Sequence, residues 1–287
     1  MSERNFTFGI VSPAGPTPPE VFDAGVAGLK KLGFGAKVFP HARGNCGYLS
    51  APAEERVADL VSAWFDPEVD AILCARGGFG SAHLLPLLPW ERMKKRQLPL
   101  LGFSDITALH LVMDKTGVGR PITAPMLKFI PALDADSLGA FLAVLEKHDD
   151  EFDGAEMLTG DGVFSGRPLA GNLTVMTSLL GTPYFSDPNG RVLVLEEVGE
   201  PLYRIDRMLT QLEQSGVFAA CAGVVFGDFT EGDLAAAELR ELLFRVMKRT
   251  GRSAVMGYPF GHELPFRSID FTARLVVRNG KIARLFA

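Results

Sequence analysis

Leu98-Pro-Leu-Leu-Gly-Phe-Ser-Asp-Ile-Thr-Ala-Leu-His-Leu111 passes from an apolar run to a helical pattern across one tight corner. Leu98 to Phe103 reads as a short buried strand, and Ile106, Leu109 and Met113 then recur at the spacing of one helix face. Ser104 stands on the corner, followed by Asp105 and Thr107, residue types that start helices. Two readings of that serine stand side by side. Serine often caps a helix by accepting a hydrogen bond from a first-turn N–H. A serine pushed out of a sheet at a strand-to-helix turn also lies beside unpaired backbone N–H groups, the setting a nucleophile with an oxyanion site requires. Ile106 replaces the second glycine of Gly-x-Ser-x-Gly, so the ordinary α/β-hydrolase elbow is disfavoured.

Outward from this corner, strands and helices alternate. Thr7–Val11, Ala36–Phe39, Ala71–Ala75, Leu98–Phe103 and Pro121–Ala124 read as strands. Helical patterns fill Pro19–Leu32 and Glu54–Phe65, the second with Val57, Leu60, Val61 and Trp64 on one face, and a further helix starts at Ser81–Leu85. This alternation predicts an α/β fold: a parallel sheet in a three-layer arrangement with helices on both faces. Ligands in such sheets gather beyond the carboxyl ends of the strands. Three informative turns fall there: Ser12–Pro16, Arg76–Gly80 and Phe103–Asp105.

A helix over Ser137–Lys147 precedes an acidic, glycine-containing stretch, which places an α/β domain at 1–150, a linker at 151–165 and a second domain at 166–287. The second domain reads as a mixture of strands and helices. Its strands are expected at Arg191–Glu196, Gly223–Phe226 and Ala254–Met256, with helices at Leu202–Leu212 and Ala235–Arg249. A terminal hairpin turns at Asn279-Gly280.

Composition narrows the function. A net charge of −5 with a single short basic run, Lys94-Lys-Arg96, provides no electrostatic footprint for nucleic acid. The three cysteines, Cys46, Cys74 and Cys221, are far apart and form no Cys-x-x-Cys, which argues against a disulfide framework or zinc ribbon and for a reduced, cytoplasmic setting. No apolar run approaches the roughly 20 residues of a membrane helix, so no membrane association is expected. His262-Glu263 is not a zinc motif, because Phe266 stands where His-Glu-x-x-His has its second histidine. No metal and no cofactor are expected.

Three further features carry chemistry. Arg76-Gly-Gly-Phe-Gly80 lies between a strand and a helix and lacks the Lys-Ser/Thr end of a Walker loop. It is either a plain tight turn or a source of backbone donors for an anion. Glu196 and Glu197 end a strand, and alternation alone cannot say which faces inward or whether both meet water. His262, in the proline-bounded loop Tyr258–Pro265, is either a surface histidine or a general base held by a partner. Together these parts amount to a nucleophile, a base and a carboxylate orienter.

With these motifs in hand, the chain resembles the LD-carboxypeptidases, serine peptidases that include muramoyltetrapeptide carboxypeptidases and microcin-immunity peptidases. The likeness rests on Val11-Ser-Pro-Ala-Gly15, Arg76-Gly-Gly-Phe-Gly80, Gly102-Phe-Ser-Asp105, Gly171-Asn-Leu173, Leu195-Glu-Glu197, Tyr203-Arg-Ile-Asp-Arg207 and Gly257-Tyr-Pro-Phe-Gly-His262. It implies an α/β domain carrying the serine and a smaller, β-rich α+β domain carrying the other two members of a catalytic triad of Ser104, Glu196 and His262, with oxyanion donors from the backbone N–H groups of Gly78 and Asp105. Arg76, Arg204 and Arg267 are the candidates for the substrate carboxylate. The implied activity releases terminal D-alanine from the L,D bond of a muropeptide tetrapeptide in peptidoglycan recycling, by a homodimer. Two alternatives stand beside it: an immunity-type serine peptidase cleaving a peptidyl-nucleotide, and a non-catalytic protein that binds a small ligand.

Overall fold

The computed structural model describes residues 5–232 and 235–286 and divides into two compact units, Met1–Leu133 and Asp134–Ala287. In chain order the first unit contains β1 (Thr7–Val11), α1 (Pro19–Lys31), β2 (Gly35–Val38), α2 (Ala53–Phe65), β3 (Ala71–Cys74), α3 (Trp90–Met93), β4 (Pro99–Gly102), α4 (Thr107–Thr116) and β5 (Arg120–Thr123). These strands lie in the order β2-β1-β3-β4-β5, each pair parallel. β1 is therefore the point where the strand order reverses, and the turns leaving β1 and β3 diverge at a topological switch point, where such sheets bind ligands. β3 and most of β1 are buried, as a sheet covered on both faces requires. Cys74 is fully buried there, and burial pushes its thiol well above the usual range.

α2 departs from its expected face. Leu60 and Trp64 are buried, but Val57 and Val61 are half-buried, while Arg56 and Asp59 are covered. Hydrogen bonding is the reason. The Arg56 guanidinium donates to the carbonyls of Ala51 at 2.9 Å, Pro13 at 2.7 Å and Gly80 at 2.8 Å. Asp59 accepts from the His41 backbone N–H at 2.8 Å and lies 2.9 Å from its ring Nδ1. A buried charge that meets this many partners avoids most of the penalty an unpaired one would carry.

The second unit contains α5 (Ala135–Leu145), β6 (Asp150–Asp153), β7 (Glu156–Thr159), β8 (Val163–Gly166), β9 (Pro168–Asn172), α6 (Leu173–Ser178), β10 (Val192–Val198), α7 (Leu202–Gln214), α8 (Val217–Ala220), β11 (Gly223–Thr230), α9 (Ala236–Thr250), β12 (Ala254–Met256), β13 (Ile269–Asp270), β14 (Arg274–Arg278) and β15 (Lys281–Leu285). One sheet runs β7-β12-β11-β10-β9, parallel except for β7; a second, antiparallel, runs β6-β15-β14-β8. The hairpin at Asn279-Gly280 is present, with both residues at positive φ.

The division falls at Leu133/Asp134, ahead of the boundary expected near residue 150, and the stretch expected as linker is structured. Backbone and side-chain bonding accounts for this. Ser137 on α5 accepts from the Phe266 N–H at 2.8 Å, Asp150 pairs with Arg267 at 2.8 Å, and Asp149 accepts from the Phe286 N–H at 2.8 Å. The acidic residues of β6 and β7 thus work as sheet edges. α7 buries Ile205, Leu209 and Leu212 on one face, each worth about 1.5–3 kcal/mol of apolar burial. Among the described residues, no helix is long and apolar enough to cross a membrane.

Candidate active site

Ser104 opens the 3₁₀ turn Ser104–Ile106 that joins β4 to α4. The N-cap of that turn is Phe103 and the N-cap of α4 is Ile106, so the serine caps neither. Its backbone instead sits at φ 61°. For a residue with a Cβ this left-handed conformation costs about 1–2 kcal/mol, and such outliers persist where the surroundings over-determine them. The surroundings here are visible. Asp105 is buried, and its carboxylate accepts the Ser81 N–H at 2.8 Å while the Ser81 hydroxyl donates to the Asp105 carbonyl. Burial raises the Asp105 carboxyl above its ordinary range, and the bonds from Ser81 and the Arg56 charge act against that rise.

The Arg76–Gly80 turn closes on the same corner. A Cβ on Gly77 would lie 2.9 Å from the Ser104 Oγ and 3.4 Å from the Asp105 nitrogen, so only glycine leaves this space open. Gly78 has φ 112° and packs on Gly15, whose N–H donates to the Gly77 carbonyl at 3.0 Å. Arg76 donates to the Pro16 carbonyl at 3.0 Å. The turns after β1, β3 and β4 therefore form one hydrogen-bonded assembly, with Arg56 beneath it bonding to Pro13 and Gly80. Arg56 and Gly77 were not singled out from sequence.

In the second unit, Glu196 Oε2 lies 2.9 Å from His262 Nδ1. Glu196 is 1% exposed, and among the described residues its Oε1 has no hydrogen-bond partner. An ionised carboxylate only accepts, so Nδ1 carries the proton and Nε2 is the basic nitrogen. Glu197 is also buried but is engaged elsewhere. It accepts from Asn172 Nδ2 at 3.1 Å, the Thr174 N–H at 2.7 Å and the Val198 N–H at 2.9 Å. Burial raises the Glu197 carboxyl above its ordinary range despite these donors.

A bulge separates the two glutamates. Leu195 pairs with Phe226 and Glu197 with Phe229, so Glu196 alone faces both Gly227 and Asp228. Bulges of this kind re-aim a side chain. The extra residue also docks the histidine loop: the Asp228 N–H donates to the Phe260 carbonyl at 2.8 Å, and Tyr258 and Phe260 are buried. Of the remaining arginines, Arg204 pairs with Glu200 at 3.2 Å and Arg267 with Asp150 at 2.8 Å. Arg76 is the one of the three that belongs to the turn against Ser104.

Asp228 is a titrating neighbour that sequence reading missed. Its carboxyl is pushed up to about 6 by burial first, then by the like charges of Glu263 and Glu196, with His262 acting against the rise. In the unfolded chain it ionises near 3.8. The folded state thus retains a proton that the unfolded state has lost, and stability falls as pH rises from about 4 to about 6. Asp228→Asn should therefore raise the thermal midpoint at about pH 8, with the gain vanishing at about pH 4. Thermal unfolding at both pH values reads this, and an equal change at both would refute the ionic origin.

Comparison with known proteins places the chain in a family. The model for the LD-carboxypeptidase N-terminal domain matches residues 8–121, and that for the C-terminal domain matches residues 165–276. A Bacillus subtilis (strain 168) protein named "Probable murein peptide carboxypeptidase" is 31% identical, over 96% of this chain and 89% of its own. The murein tetrapeptide carboxypeptidase of Pseudomonas aeruginosa is 30% identical, over 89% and 86%. The microcin C7 self-immunity protein of Escherichia coli is 23% identical, over 94% and 89%. The crystal structure of muramoyltetrapeptide carboxypeptidase from Oxalobacter formigenes superposes with a TM-score of 0.88 at 26% identity, covering 97% of both chains.

Proposed function

Because the chain belongs to the LD-carboxypeptidase family, we propose that it is a serine peptidase releasing terminal D-alanine from the L,D bond of muropeptide tetrapeptides in cytoplasmic peptidoglycan recycling. The observation that carries this reading is the contact of Glu196 with His262 Nδ1. It sets the tautomer in which Nε2 accepts a proton from a serine hydroxyl. Ser104 Oγ attacks the amide carbonyl, and its proton passes to His262 Nε2. The tetrahedral oxyanion takes hydrogen bonds from the backbone N–H groups of Asp105 and Gly78. Collapse breaks the C–N bond as His262 returns the proton to the departing amine of D-alanine. Water, deprotonated by the same imidazole, then cleaves the acyl-serine ester and regenerates the hydroxyl. Arg76 meets the substrate's terminal carboxylate.

The purified protein incubated with a pool of muropeptides should convert tetrapeptides to tripeptides, read by mass spectrometry as loss of one alanine. A pool left intact would overturn the reading. Cleavage of a peptidyl-nucleotide in its place would keep the acyl-transfer chemistry and move the substrate to the immunity type. Absence of both activities, together with no adduct at Ser104 from a serine-directed reagent, would leave a binding protein.

A further inference from the structure

Among the large apolar side chains exposed on the first unit, Tyr48 and Phe79 touch one another. Tyr48 is 68% exposed and Phe79 53%, with ring centroids 5.9 Å apart. His83 extends the cluster edge-on to Phe79 at 5.3 Å. The rings are held in place. Tyr48 sits at the tip of a tight loop closed by the Cys46 N–H donating to Leu49 at 2.7 Å and the Leu49 N–H donating to Cys46 at 3.3 Å. The Ser50 N–H ties the loop to Ala14 at 2.9 Å, and Leu49 packs so closely on Gly80 that a Cβ there would sit 2.4 Å from it. Phe79 follows Gly78 in the turn whose Gly77 backs on Ser104. Such exposure contributes nothing to the core, and rigid exposed aromatics are a common means of recognising a ligand.

Position and charge select the part of the ligand. Gly77 touches the nucleophile, two residues of chain reach at most about 7 Å, and the Tyr48 ring lies a further ring spacing away. A muramoyl tetrapeptide acylating Ser104 has three residues between the reacting carbonyl and its sugar, about 10 Å of extended chain. The carboxylates of the peptide stem favour cations, which neither Tyr48 nor Phe79 provides. The sugar presents a neutral C–H face, which aromatic rings stack against.

Resting on the function proposed above, we propose that Tyr48 and Phe79 form a stacking platform for the muramoyl sugar of the substrate. The platform makes this enzyme prefer sugar-bearing tetrapeptide over the free peptide. The test measures kcat/KM for D-alanine release from muramoyl tetrapeptide and from the same tetrapeptide without the sugar. Tyr48→Ala should lower the ratio of the two values about tenfold, the upper range of one aromatic contact, chiefly through KM for the muramoyl substrate. Tyr48→Phe, which keeps the ring, should retain the wild-type ratio. A ratio unchanged in Tyr48→Ala would overturn the platform while leaving the proposed activity standing. An unchanged ratio combined with impaired cleavage of a peptidyl-adenylate analogue would do the same and assign the rings to a base. No D-alanine from the wild type with either substrate would overturn the parent reading and this inference with it.

Discussion

Replacing Ser104 by alanine should lower D-alanine release about 10⁴-fold or more, with the protein still folded. The magnitude follows from removing the atom that forms the acyl bond in the proposed mechanism. Oxyanion donors and substrate positioning remain, but they can then assist only attack by water. Alanine keeps the Cβ and so keeps the backbone strain at φ 61°. Glycine removes it, which makes Ser104→Gly the more informative partner. Relief of left-handed strain contributes about 1–2 kcal/mol, and the extra freedom of glycine in the unfolded chain takes back about 0.5–1 kcal/mol. The net gain is about 0.5–1 kcal/mol, a rise of about 1–4 °C in the thermal midpoint. Activity lost in both variants with a higher midpoint in glycine alone identifies a residue held under strain for chemistry. Turnover in Ser104→Ala within tenfold of wild type would dispose of the nucleophile assignment.

The first unit was largely legible in the sequence because its strands are short apolar runs bounded by turns. The loop-rich carboxyl ends of β1, β3 and β4 carry glycine, proline and serine in recognisable clusters. The conformation of Ser104 was not legible, since a positive φ is ordinarily advertised by glycine and here falls on a serine. Arg56 shows a second kind of limit: a charged residue at a helical position reads as solvated until its acceptors, which lie 43 and 24 residues away in the chain, are in place. The choice between Glu196 and Glu197 exposes a third. Alternation discriminates faces only when one face is wet, and Val192 to Glu197 are all buried. Register decides instead, through a bulge whose extra residue is on the neighbouring strand, a feature that no local pattern in β10 encodes. Asp228 was overlooked for the same reason, because its relation to Glu196 exists only once β10 and β11 are paired. The division between the compact units falls ahead of the stretch that composition marks as a linker, because an acidic stretch resembles a linker whether or not its backbone later joins a sheet.

Glu196→Gln should reduce kcat about 10⁴-fold without unfolding the protein, an effect comparable to the serine deletion although the change is one of oxygen to nitrogen. The glutamine amide has two orientations beside His262. With its carbonyl toward Nδ1 the correct tautomer survives, but the NH₂ group then occupies the position of Oε1, which is buried and has no hydrogen-bond partner among the described residues. An unsatisfied buried donor there costs about 1–3 kcal/mol. With the NH₂ toward Nδ1 that penalty disappears, and the carbonyl takes a position that already lacks a partner in the native protein. The second orientation is therefore preferred. It requires an unprotonated Nδ1, which moves the proton to Nε2 and, in the proposed relay, leaves nothing to accept from the Ser104 hydroxyl. Glu197→Gln is the control. It puts an amide N–H against the donors of Asn172, Thr174 and Val198, so its effect should fall on the thermal midpoint while kcat stays within about tenfold. The imidazole ¹⁵N chemical shifts of His262 report the tautomer directly. A Glu196→Gln protein that keeps its proton on Nδ1, or one that turns over no more slowly than Glu197→Gln, would remove Glu196 from the relay.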